Sequence, residues 1–189
     1  MNSEESFNQW FVIPIRWLQA VPNNDGSFVA LAVSLFLYER YATIMLKQKG
    51  IKATEKNIPK QVVVDFDVDK DTAESFWNVM RNGILHQGMP KQLEQGERVF
   101  LDWIFHHNEV DHPIEIIEVG GKRLLSVQPW MVVNKVIALW TANLHLLDQN
   151  QSFGWAQVFN FKLQITEKTD GEFFLVTGSS SGLSLIGLE

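Results

Sequence analysis

From Phe28 to Tyr38 the chain reads FVALAVSLFLY, apolar on nearly every side of a helix. A helix of that kind sits centrally in a bundle or inside a subunit interface. The turn cluster Pro22-Asn23-Asn24-Asp25-Gly26 precedes it, so Asp25 or Ser27 is expected to cap a helix over about 27–48, closed by Gly50. Upstream, residues 7–21 predict a helix in their second part, with Pro14 early in it and an end near Ala20. A short helix is expected over 59–66. Asp69 or Asp71 then caps a further helix, which Gly88 and Pro90 stop. In it Ala73, Phe76, Trp77, Met80, Gly83 and Ile84 share one broad face, the core stripe.

Beyond Pro90 the pattern changes. Val99–Phe105 is rich in bulky apolar residues, and Ile114–Val119, Gly120-Gly121 and Lys122–Val127 read as a β-hairpin on a two-glycine turn. Pro129 opens a long helix to about Leu147, with Val132, Val136, Leu139, Trp140, Asn143 and Leu147 near helical spacing. Val158–Ile165 and Phe173–Thr177 read as two strands joined by Lys168-Thr169-Asp170-Gly171, and the stretch from Thr177 to Gly187 is rich in Ser and Gly. The expected fold is mainly α with β-hairpin additions, α+β overall. Residues 1–150 form a helical domain with a β-hairpin insertion around 97–127, and 151–189 form a β-rich extension packed on the same domain.

Composition narrows the function classes. There is no Cys among the 189 residues, which excludes disulfides, thiolate metal sites and Cys nucleophiles. The formal charge is −6, poor for non-specific nucleic-acid binding unless positive charge is locally concentrated. It is concentrated in one place. Residues 47–60 hold Lys47, Lys49, Lys52, Lys56 and Lys60 against Glu55, a local +4 that leaves −10 elsewhere. The strip is either a solvated linker or a set of phosphate contacts. MNSEESFNQW lacks the basic-then-apolar order of a signal peptide, and Phe28–Tyr38 is about half of the roughly 20 residues a membrane span needs. A soluble, cytoplasmic protein with no membrane partner is expected.

The chemistry gathers at the end of the capped helix, in Phe76–Pro90, FWNVMRNGILHQGMP. On a straight α-helix Arg81 falls at one edge of the core stripe, and Asn82 and His86 fall together at the other. Arg81 and His86 then stand about 140° apart and roughly 7.5 Å apart along the axis. That spacing favours a cleft shared by two copies packed across Leu85, since twofold dimers are the commonest oligomers. A histidine can give or take a proton near neutrality. A guanidinium matches phosphate oxygens with paired hydrogen bonds, and an amide can orient either partner or a hydroxyl. Together they suit attack of a ribose hydroxyl on its own phosphate. The plain alternative is that Arg81 and His86 are ordinary groups edging a core stripe. Gly83 weighs against a purely structural helix, because Gly costs about 1 kcal/mol relative to Ala there. Close approach of another backbone or a ligand would account for it.

Arg81-Asn82-Gly83-Ile84-Leu85-His86 resembles the arginine, polar residue, short spacer, histidine motif of the HEPN superfamily (higher eukaryote and prokaryote nucleotide-binding domains). Phe28–Tyr41 also resembles the apolar helix that precedes the motif in some bacterial members. The likeness spans about 27–150, with 91–127 as an insertion, and the last forty residues match nothing in the family. The resemblance implies a HEPN-like helical bundle and a homodimer with both motifs in one cleft. It also implies a metal-independent endoribonuclease of toxin–antitoxin or anti-phage defence systems, leaving 2′,3′-cyclic phosphate ends. His86 would be the acid/base or substrate-orienting group, Arg81 would stabilise the charged transition state, and Asn82 would be the motif's polar residue. Lys47, Lys49, Lys52, Lys56 and Lys60 are the candidate RNA contacts, with Glu39 and Arg40 supporting Arg81. No cofactor or metal is expected. An antitoxin or activator is the expected protein partner. Other family members only bind nucleotides or proteins, so a non-catalytic HEPN module is the alternative, and a helical protein with no site is a third reading.

Two further patterns carry less. Asp102, His106, His107, Glu109, Asp111 and His112 cluster in sequence, but no two of the histidines have the four-residue spacing of a helical metal site. Gly178-Ser179-Ser180-Ser181-Gly182 fits G-x-S-x-G, yet no helix is expected after it and no His follows.

Overall fold

In a computed structural model of the chain, residues 3–95, 98–108, 110–148, 162–167, 173–179 and 182–186 are described. The chain divides into two units, residues 7–144 and residues 1–6 with 145–189. Helix α1 (Ser3–Phe7) leads through a π turn, Asn8–Val12, into α2 (Ile13–Gln19), so Pro14 lies inside a continuous helical run, directly after the wider π turn, and removes one hydrogen bond from it.

Helix α3 spans Ser27–Gln48 and organises the larger unit. Neither Asp25 nor Ser27 caps it, contrary to expectation. Gly26 holds the N-cap position without a side-chain bond, because the Leu18 carbonyl at the end of α2 fills the space a side chain would need. Nor is α3 buried all round. Ala30, Leu31, Leu35, Tyr38 and Ala42 are fully inside, while Val29 and Phe36 are 49% and 58% exposed. The helix is long and apolar enough to cross a membrane by length and composition, but its buried face packs on protein in this chain.

Three helices cover that face: α2, α4 (Ile58–Phe66) and α7 (Pro129–Ala142). Ile15, Ala30, Trp130 and Val133 make one cluster where α2, α3 and α7 meet. The Trp140 indole N–H donates to the Leu37 carbonyl at 3.0 Å, and Tyr41 packs edge-on against the Trp140 ring. Tyr38 packs edge-on to both Phe66 and Trp77, joining α3 to α4 and to the helix that carries the motif. The helix expected to run from Pro129 to Leu147 breaks at Asn143-Leu144, where the Asn143 amide turns back to the Leu139 carbonyl at 2.8 Å. That side-chain bond offers the last turn an alternative to continued helix. Helix α8 (His145–Asp148) follows in the second unit.

The larger unit also holds a four-stranded mixed sheet: β1 (Leu93–Gln95), β2 (Arg98–Phe105), β3 (Ile114–Val119) and β4 (Lys122–Val127), in the order β1-β2-β4-β3. The hairpin β3–β4 turns at Gly120-Gly121, as the sequence predicts. Pattern alone did not show that β4 lies parallel to β2, with Trp103 opposite Leu125 and Phe105 opposite Val127. The loop over 106–113 carries the chain past that position to the outer edge, so β4 returns between β2 and β3. The fold is mixed α+β.

In the second unit β5 (Lys162–Glu167), β6 (Phe173–Ser179) and β7 (Gly182–Ile186) form an antiparallel sheet in chain order. The third strand was not expected from a Ser- and Gly-rich stretch. Gly178 and Ser179 end one strand and Gly182 opens the next, so the G-x-S-x-G pattern joins two strands. Ser180, Ser181, Glu109, the turn Lys168–Gly171 and the expected strand start at Val158 lie outside the described residues.

One expected result belongs to this scaffold. The Asp69 carboxylate caps α5 (Lys70–Phe76), accepting from the Thr72 amide at 2.9 Å and the Thr72 hydroxyl at 2.7 Å. Those bonds, the hydroxyl first, hold its carboxyl below the usual range. A lowered folded value means the contribution is complete above the unfolded value of about 4 and fades as pH falls through the folded one. Asp69→Ala therefore costs about 1 kcal/mol at neutral pH. In thermal melts the gap from wild type narrows in acid, and a gap independent of pH removes the carboxylate's role.

Candidate functional site

The motif lies on one continuous helical run built of α5, a π turn over Trp77–Asn82, and α6 (Gly83–Gln87), ended by Gly88 at φ 76°. In a π turn the hydrogen bonds close over five residues, so each residue rotates less than in an α-helix and the side-chain rows shift in phase. This corrects the expectation that one helix does not easily bring Arg81 and His86 together. The Arg81 guanidinium has its Nη1 3.2 Å from His86 Nε2 and donates from it to Asn82 Oδ1 at 2.9 Å. The reduced rotation supplies part of the approach, and the reach of the arginine supplies the rest. Its guanidinium carbon lies 5.5 Å from the centre of the Trp77 ring, a cation–π distance.

The other side of the guanidinium is held by Glu39 of α3. Arg81 Nε donates to Oε2 at 3.1 Å and Nη2 to Oε1 at 2.5 Å, a paired fork. The fork fixes the direction of Nη1, which is left to face Asn82 and His86. A guanidinium has no acceptor, so its hydrogen bond with His86 requires Nε2 to accept and the ring proton to sit on Nδ1. Arg81 is 16% exposed and Glu39 29%, whereas His86 is on the surface. Solvent thus meets the imidazole first, with the cation behind it. Asn82 Nδ2 faces Asn78 Oδ1 at 3.5 Å, too long to hold the amide firmly.

The remaining predicted residues fall into two groups. Glu39 is in direct contact with Arg81, while Arg40, half-buried, is turned about 100° from it around α3. The lysines start eight residues beyond Glu39, about 12 Å along the α3 axis. Lys49 donates to Gln61 Oε1 at 2.9 Å, and Lys60 to Asn57 Oδ1 at 3.1 Å. Gln61 in turn donates to Asp65 at 2.9 Å, and the buried Tyr38 hydroxyl donates to the same carboxylate at 3.0 Å. Burial holds that Asp65 carboxyl above its ordinary value. Lys49 thus joins a polar network between α3 and α4, while all five lysines of the strip remain exposed.

Sequence reasoning missed Trp77 as the platform under the guanidinium. The visible signal was its place four residues before Arg81, one helical row. Among the described residues, no group of three or more His, Asp or Glu could hold a metal, so His106, His107 and His112 do not form a metal centre there. Comparison with known proteins finds no matching family model, no matching curated protein and no matching solved structure.

Proposed function

We propose that this chain is a metal-independent endoribonuclease of HEPN type, built on a HEPN-like bundle and acting in the cytoplasm in toxin–antitoxin or anti-phage defence. The observation that carries the reading is the convergence of Arg81, Asn82 and His86 at one surface point, with the guanidinium oriented by Glu39. Substrate displaces the bond between Arg81 Nη1 and His86 Nε2, and the freed Nε2 takes the proton of a ribose 2′-hydroxyl as its oxygen bonds to phosphorus. The bond from phosphorus to the 5′-oxygen breaks, and that oxygen leaves with a proton. Arg81 Nη1 faces the charge that builds on the phosphoryl oxygens, and Asn82 orients the guanidinium. The products are a 2′,3′-cyclic phosphate and a 5′-hydroxyl.

In-line displacement puts the attacking and leaving oxygens on opposite sides of phosphorus. One imidazole cannot serve both, so we place the working form as a homodimer in which His86 of a second copy protonates the leaving group. The exposed Val29 and Phe36 of α3, on the flank beside Glu39, give such a pairing an apolar surface. Lys47, Lys49, Lys52, Lys56 and Lys60 guide the RNA, and an antitoxin or activator protein controls access.

The second reading, a non-catalytic HEPN module that binds a nucleotide or a protein, draws on the same Glu39. Its fork occupies two of the three guanidinium nitrogens and offsets the charge a phosphate needs. A fluorescent RNA incubated with pure protein in EDTA separates the two. The nuclease reading expects cleavage, cyclic phosphate ends on the upstream fragments, and a dimer by light scattering. Intact RNA at high protein concentration, with a nucleotide bound, favours the module.

A further inference from the structure

Next to His86 in sequence, a cavity of about 590 Å³ opens between the end of α6 and strand β2. Gln87, Pro90, Lys91, Gln92, Glu94, Asp102 and Trp103 line it. Gln87 follows His86 directly, so their Cα atoms stand about 3.8 Å apart across a trans peptide. The volume is within the 300–1,000 Å³ range of small-ligand sites. Two of the walls are anchored. The Lys91 amide donates to the Val79 carbonyl at 3.1 Å, pinning one wall to the motif helix. Trp103 is seated on β2 beside Phe105, their rings 5.1 Å apart, in a strand paired with β4.

The lining specifies a chemistry. An indole offers a stacking face to any base. Two carboxylates, Glu94 and Asp102, repel a phosphate and accept N–H groups. Asp102 spends Oδ1 on the Trp103 amide at 2.9 Å, which leaves Oδ2 for a ligand. Among the described residues, neither Lys91 nor Glu94 makes an ion pair. Guanine presents two adjacent N–H donors, N1 and N2, on one edge and two acceptors, O6 and N7, on another. The first edge suits the carboxylates, and the second suits Lys91 and the amides of Gln87 and Gln92. Adenine and cytosine each set a ring-nitrogen acceptor beside their amino group, which would face a carboxylate. Uracil flanks its one N–H with two carbonyl oxygens.

We infer that this cavity binds a guanine base, and that it selects RNA in which a guanosine flanks the phosphate held at His86. The inference rests on the nuclease reading for its role in cleavage, but it can be read by binding alone. Calorimetry with GMP, AMP, CMP and UMP on the intact protein is expected to show GMP bound at least about tenfold more tightly than the others. Trp103→Ala weakens GMP about tenfold or more, Trp103→Phe keeps most of the affinity, and Glu94→Gln erodes the preference over AMP. The His86→Ala protein retains GMP binding. Equal affinities for the four nucleotides overturn the inference, as does binding of N-acetyl-arginine amide in place of GMP, which would mark a site for a basic peptide. RNA cut without preference for guanosine, with no GMP bound, removes the subsite and leaves the nuclease standing. Selective GMP binding without RNA cleavage keeps the subsite and removes the nuclease.

Discussion

On the proposed nuclease function, His86→Ala is expected to reduce RNA cleavage by about 10²- to 10⁴-fold, the usual contribution of a positioned acid or base. The fold is barely touched, because the ring is on the surface and bonds to Arg81. Surface substitutions of that kind stay within about 0.5 kcal/mol. Single-turnover cleavage and a thermal melt of the same preparation therefore separate chemistry from folding. A variant that melts normally and cuts RNA at the wild-type rate ends the nuclease reading.

Arg81 does not allow so clean a test. Its removal strands the Glu39 carboxylate, which is mostly buried, and takes the cation from the Trp77 ring. Breaking a partly desolvated pair leaves the surviving charge uncompensated, so Arg81→Ala loses stability as well as activity. Arg81→Lys is the sharper comparison. An ammonium is a point charge without the planar fork, and it cannot grip both Glu39 oxygens while facing Asn82 and His86. Activity lost in the lysine variant with the fold retained assigns the need to geometry rather than to charge.

The sequence made the helices readable where turn chemistry and apolar runs agree. Helix α3 begins and ends within the expected limits, Asp69 caps as expected, and the hairpin at Gly120-Gly121 falls where the pattern puts it. What it could not show depends on contacts distant in the chain. The π turn at Trp77–Asn82 has no signature in residue types, yet it sets which rows of the motif helix meet. The fork from Glu39 joins residues 42 apart in sequence. A charged pair on an apolar helix shows only that a partner is needed. The parallel pairing of β2 with β4 likewise depends on where the loop over 106–113 carries the chain, which local alternation does not encode.

Gly83→Ala destabilises the protein by about 2 kcal/mol, although alanine is the better helix former by about 1 kcal/mol. A methyl group at position 83 would stand 2.5 Å from the Lys91 nitrogen, 2.7 Å from the Met89 oxygen and 2.9 Å from the Pro90 carbonyl carbon. All three are backbone atoms, so no side chain can swing aside. The segment 89–91 has to lift from the helix, stretching the bond from the Lys91 amide to the Val79 carbonyl. Overpacking of this kind costs about 1–3 kcal/mol, and a buried amide left without its partner adds about 1–3 kcal/mol. For a chain of this size the net loss lowers Tm by about 4–8 °C. The same shift moves Lys91 and Gln92, two walls of the cavity beside His86, so GMP affinity falls with it. Gly83 thus answers to the crossing backbone, and its tie to the site runs through the segment packed against it. A Gly83→Ala protein that melts at or above the wild-type temperature refutes this account of the crossing, since helix propensity would then be the only term left.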